Sequence, residues 1–185
     1  MGVFGFLPRL RRGRHERAGF ALYTTAAAAA RDPFLFATIG VPDTLDGRYD
    51  ALALCAFLMI DRVRLEPPPG PALAQAVFDA MFSDMDLALR EMGAGDPTVP
   101  RKMRAMWEAL HGRAIAYRAA LVGGDQAALQ AALARNVWRG MAVPEGGPVA
   151  LARFATAQAA HLAGQPAAAF IAGTADFLPA QAAAR

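Results

Sequence analysis

Cys55 is the chain's only thiol, which excludes an intrachain disulfide and any zinc site built on several cysteines. The three histidines, His15, His111 and His161, are scattered singly, with no His-x-x-His or Cys/His cluster. No Gly-x-Ser-x-Gly, Walker loop or dinucleotide fingerprint occurs, and Gly93-x-Gly95 reads as a helix stop. The reading is therefore of a non-enzyme with no catalytic residue, metal ligand or cofactor. Long apolar runs are missing too. The charge-free stretch Ala18 to Ala30 is too short to span a bilayer and contains Tyr23, Thr24 and Thr25. It follows a basic region, as in a signal or transit peptide. Ala28-Ala29-Ala30-Arg31 is a poor end for one, and the stretch reads as a helix of the mature protein.

What the chain has in quantity is alanine. Hydrophobic residues make up 55% of the 185 positions and charged residues 19%, a core-rich composition. A single domain of this length buries roughly 70% of its unfolded surface. Alanine costs least to fix in a helix and β-branched residues are sparse, so the expectation is all-α, one compact bundle-like domain of about six or seven helices. Residues 1–17 read as a basic, flexible arm carrying Arg9, Arg11, Arg12, Arg14 and Arg17 against Glu16, 18–178 as the helical domain, and 179–185 as a frayed tail. Such an arm either attracts RNA or anionic lipid or is simply solvated.

Punctuation places the helices. The first, from about Glu16, ends before Asp32-Pro33. A connector follows, with Phe34, Leu35, Phe36 and Ile39 tucked against the core. Asp43 or Thr44 caps a second helix to about Leu65, whose run Ala51 to Ile60 is apolar all round and so belongs at the centre. "EPPPGP" breaks it, and a third helix opens near Phe78. A fourth runs from about Pro100 to Val122, and Asp125 caps a shorter one to about Trp138. Another follows Gly146-Gly147-Pro148, and Pro166 opens the last.

The third helix, "FDAMFSDMDLALREMGAGD", raises the question of chemistry. Phe78, Met81, Phe82, Met85, Leu89 and Met92 fall in one arc of roughly 100°. That stripe is either packed core or an adaptable methionine-rich groove for a protein partner. The acids do not cluster. Asp79 and Asp86 stand roughly 10 Å apart along the axis, Asp84 points elsewhere, and Asp86 pairs with Arg90 at i, i+4. An aspartate-rich isoprenoid- or quinone-binding enzyme is disfavoured, because no second acidic motif answers the first. On the fourth helix, Met103, Met106, Trp107, Leu110, Ala114, Tyr117 and Leu121 form an apolar stripe, while Arg101, Arg104, His111 and Arg118 form a basic face. That face is either solvated or suited to phosphates, which supports an alternative reading as an RNA- or ribosome-associated helical module. Cys55, in "ALALCAFLMI", reads as a buried and inert thiol.

Three segments carry a resemblance: "LYTTAAAAARDPFLFATIGVPDTLDGRYDALAL" (Leu22 to Leu54), "VFDAMFSDMDLALREMGAGDPTVPRKMRAM" (Val77 to Met106) and "HGRAIAYRAAL" (His111 to Leu121). In this order they resemble the ubiquinol–cytochrome c chaperone family, assembly factors for cytochrome b of respiratory complex III (ubiquinol–cytochrome c reductase). The family's acidic motif falls on Asp79, Asp84, Asp86, Arg90, Glu91, Gly93, Gly95 and Asp96, with Lys102 after it. The resemblance implies an all-α chaperone that binds newly made cytochrome b, cytoplasmic or peripheral at the cytoplasmic face of the inner membrane. With no long N-terminal extension in the sequence, a bacterial member is expected. Mitochondrial members work with a small partner protein near the ribosome exit tunnel. The partner-binding residues expected on this basis are Met81, Phe82, Met85, Asp86, Arg90, Glu91, Asp96 and Lys102, with the aspartates rimming the groove. Arg101, Arg104 and Arg118 are the basic face.

Overall fold

Proline and glycine open and close the helices much as the sequence suggests, and small residues decide how near they lie. The structure, a computed structural model, describes the backbone of residues 7–185 and the side chains from His15 onward. Helix α1 (Leu7–Ala30) starts well before Glu16, so residues 7–17 are helical rather than a loose arm. The side chains of Arg9, Arg11, Arg12 and Arg14 lie outside the described residues. After α1, Asp32 caps the short α2 (Pro33–Ala37) by accepting from the Phe34 amide at 2.9 Å. Thr44 caps α3 (Leu45–Val63) through the Gly47 amide at 3.1 Å. Helix α4 (Gly70–Glu91) opens earlier than expected, because Pro71 sits in the first turn, where its missing N–H costs nothing. Helix α5 (Val99–Gly123) stops where Gly124 turns left-handed at φ 66°. Asp125 caps α6 (Gln126–Leu133), which widens into a π turn over Ala134–Trp138. Helices α7 (Gly147–Gly164), α8 (Ala167–Ala172) and α9 (Ala180–Ala183) complete the chain. Among the described residues, six helices have eight residues or more, and no strand occurs.

Helix α3 is the centre, as its all-apolar run requires: Ala53 to Met59 are each 3% exposed or less. It packs against α1, α4, α5, α7 and the π turn. Helices α1 and α4 meet at close range. An added Cβ on Gly19 would stand 2.5 Å from the Ala76 Cβ, so only glycine lets these backbones meet. Ala26, Ala27 and Ala30 continue the seam, and the Tyr23 hydroxyl donates to the Asp84 carboxylate across it. Burial, then the Asp84 charge, push the Tyr23 phenol well above its ordinary value.

The tail is not frayed. Gln158, fully buried on α7, donates to the Leu178 carbonyl at 2.7 Å and accepts from the Leu178 amide at 2.9 Å. Gln165 clamps Asp176 in the same two-handed way, at 2.8 and 3.0 Å. The second oxygen of Asp32 accepts from the Ala180 amide at 3.0 Å, and Ala180 and Ala183 are buried. Composition could not reveal this, because the acceptors lie on α7 and on the α1–α2 junction. Among the described residues, no helix is long and apolar enough to cross a membrane.

Candidate functional site

The methionine stripe of α4 divides along its length. Met81 is fully buried and Met85 is 5% exposed, while Phe82 is half-buried and stacks on Phe78 with centroids 4.4 Å apart. The open groove expected over Met81, Phe82 and Met85 is therefore absent at Met81, where α1 and α3 cover the helix. One turn on, the stripe surfaces. Met85, Leu89 and Met92 line a groove of about 540 Å³ between the end of α1, the start of α3, the end of α4 and the first half of α5. Leu52, Met106, Ala105 and Ala109 complete its apolar walls. Met92 is 54% exposed and Leu45, at the mouth, 64%.

The charge around this groove differs from the expected rim of aspartates. Asp86 is turned away and holds Arg90 at 2.7 Å, which also reaches Asp96 at 2.6 Å. Glu91 is exposed, and none of Asp86, Arg90, Glu91 and Asp96 lines the groove. The acids that do are Asp84, engaged by Tyr23, and Asp46. Against them stand Arg31, Arg48, Lys102, Arg113 and Arg139. Of the eight partner-binding residues expected from the sequence, Met85 and Lys102 line the groove. A periodicity argument places acids and stripe on one helix; which face meets a neighbour depends on α1 and α5.

Sequence reasoning missed the polar cluster on the groove floor. Asp50, on α3, is 3% exposed. Its Oδ1 lies 2.7 Å from Arg113 Nη1 and 2.5 Å from Arg139 Nη2, and its Oδ2 accepts from Arg139 Nε at 3.0 Å. Burial pushes the Asp50 carboxyl up, and Arg139 and Arg113 pull it back. Two guanidinium groups on one carboxylate favour its ionised form. Arg113 lies over the Tyr49 ring at 5.3 Å, and the Tyr49 hydroxyl donates to the Met106 carbonyl at 2.8 Å. Burial drives the Tyr49 phenol up to about 12. Arg139 reaches this point because the π turn ends in a left-handed residue, φ 43°, rare for a side chain of this size. The turn is anchored by buried Trp138, whose indole donates to the Gly40 carbonyl at 2.9 Å. A readable signal existed for Arg113: it is three residues from Leu110 and four from Tyr117, so it belongs to the buried side of α5. None existed for Arg139, whose position depends on a backbone turn.

The basic face of α5 is largely consumed by internal pairs. Arg118 Nε binds Asp61 at 2.6 Å and Arg104 binds Glu108 at 3.0 Å, while Arg101 is exposed. Trp107, placed on the apolar stripe by periodicity, is 46% exposed and stacks on His111, while Met103 and Met106 beside it pack against the core. Cys55 is fully buried, and burial pushes its thiol up to about 12.

Residues 37–177 match the sequence model of a family described as Ubiquinol-cytochrome C chaperone. A solved structure, the crystal structure of the Cbp3 homolog from Brucella abortus, superposes with a TM-score of 0.82. It is 35% identical, and the match covers 95% of this chain and 96% of that one. The Ubiquinol-cytochrome-c reductase complex assembly factor 1 of Xenopus laevis is 24% identical over 120 residues, 65% of this chain. That alignment spans 60% of the frog protein's own length.

Proposed function

The chain belongs to the ubiquinol–cytochrome c chaperone family, and from that premise we propose that it is an assembly chaperone for respiratory complex III that holds newly made cytochrome b in the groove between α1, α3, α4 and α5. The observation that carries this reading is the open groove with apolar walls beside the packed core. Met92 and Leu45 stay exposed there, and a solvent-facing apolar patch in a groove is the usual mark of a binding surface. The shape favours a helix laid in a groove, anchored by residues at i, i+3, i+4 and i+7. A membrane protein met before insertion offers many such helices, and covering their apolar faces prevents aggregation. Contact at the cytoplasmic face of the inner membrane follows from that client.

The test is recovery of cytochrome b from solubilised membranes on the tagged, full-length chain. Leu45→Asp and Met92→Asp place a charge on the groove wall at exposed positions, so folding survives. Each is expected to cut recovery about tenfold, the loss of roughly 1.4 kcal/mol of binding. Leu87→Asp, equally exposed on α4 but outside the groove, is the control. Equal recovery by all three would exclude the groove as the client site. The RNA-binding alternative has lost Arg104 and Arg118 to internal pairs.

A further inference from the structure

The floor of the groove sets two guanidinium groups against one buried carboxylate. Arg113 and Arg139 share the single carboxylate of Asp50. Arg139 has a second, looser acid, Asp46, at 3.5 Å on the exposed rim. Arg113 has none, and its side chain is 9% exposed. Its Nη1 is buried and makes no hydrogen bond, because Asp50 Oδ1, although 2.7 Å away, is out of line with the N–H. A buried guanidinium donor without an acceptor is costly and calls for a physical reason. At the mouth, Arg31 and Lys102 add charge, and neither makes an ion pair with a described residue. The groove is therefore apolar in its walls and lined by basic side chains at both floor and mouth.

Resting on the reading of this groove as the client site, we infer that its occupant is an apolar helix bearing a carboxylate within its buried face, which pairs with Arg113 and Arg139. A cavity of about 540 Å³ admits a handful of large side chains, the face of a helix across about two turns. One carboxylate among those side chains would pair with the guanidinium groups of Arg113 and Arg139 where they line the groove, and the planar fork of arginine suits it bidentately. The chemistry also explains the need. An acid within a membrane helix is expensive in lipid, so before its own partners assemble such a helix is the segment hardest to leave unattended. A helix flanked or centred by lysine or arginine would meet like charge here and be rejected.

The experiment uses three fluorescent amphipathic peptides with a leucine and alanine face, identical except for Asp, Asn or Lys at the centre of that face. Their affinities for the full chain are read by anisotropy. The Asp peptide is expected to bind about tenfold tighter than the Asn peptide, with the Lys peptide weakest. In Arg139→Gln, which leaves Asp50 paired with Arg113, the Asp preference should fall to about one, with circular dichroism confirming the fold. Equal binding of Asp and Asn peptides, abolished by Met92→Asp, would overturn the carboxylate inference and leave the groove reading intact. Binding of oleate that depends on Arg139, with no peptide binding, would overturn it in favour of an anionic lipid. Asp-selective binding in a protein whose Leu45→Asp and Met92→Asp variants still capture cytochrome b would sink the groove reading instead.

Discussion

Replacing Asp50 by asparagine tests the polar floor of the groove most directly. The substitution is nearly isosteric, so packing around α3 is preserved and the change is one of charge. Asp50 has a side chain 2% exposed and neutralises Arg113, itself 9% exposed, and Arg139, 37% exposed. Without it the Arg113 cation is left buried and unpaired, beside a second one. Breaking a buried ion pair by removing one member costs about 3–5 kcal/mol, and the amide oxygen that remains as an acceptor places Asp50→Asn near the lower end, about 3 kcal/mol. That is a large share of a total stability of about 5–15 kcal/mol. With a urea m-value of about 2–3 kcal/mol/M, the unfolding midpoint should fall by about 1–1.5 M. The double variant Asp50→Asn/Arg113→Met removes the stranded cation and should recover at least half of the loss, a coupling visible in the double-mutant cycle. A cost below about 1 kcal/mol for Asp50→Asn would show that water screens the cluster as it does a surface pair, and the reasoning would fail. The same would follow if the double variant were as unstable as the two single losses added.

Two further outcomes follow from close packing and burial. Gly19→Ala gains helix propensity but drives a Cβ into Ala76, so the melting temperature should fall by an amount equivalent to about 1–2 kcal/mol; a rise would show that α1 and α4 have room to separate. Cys55 should resist a thiol reagent at pH 8 until the protein unfolds. Because its folded-state value near 12 lies above the unfolded one, its stabilising contribution is whole below about pH 8.5 and is lost as pH rises toward 12, by about 1.4 kcal/mol per pH unit. Comparing alkaline unfolding of Cys55→Ala isolates that slope, and an identical slope would refute it.

Much of the scaffold was legible because local chemistry specifies it. Thr44 and Asp125 cap the helices they precede, Pro33 and Gly124 bound theirs, and the charge-free run of α3 lies at the centre. Asp86 and Arg90 pair at i, i+4 as their spacing on one helix requires. Where the reading went astray, the deciding contact came from elsewhere in the chain. The tail looked frayed because its anchors, Gln158, Gln165 and Asp32, are remote from it. Trp107 looked buried because periodicity identifies a face without saying which of its residues meet a neighbour.

The division is physical. Alanine content, capping residues and 3.6-residue periodicity act within a turn or two, so the sequence alone determined an all-α chain, the order of its helices and the familial motif on α4. Whether the methionine stripe is core or surface was decided by which elements each turn of α4 meets, α1 and α3 over Met81 and the open groove at Met92. The charge of the groove was likewise a tertiary outcome. Asp50, Arg113 and Arg139 lie on α3, on α5 and just past a π turn, and only packing brings two such distant arginines within reach of one carboxylate.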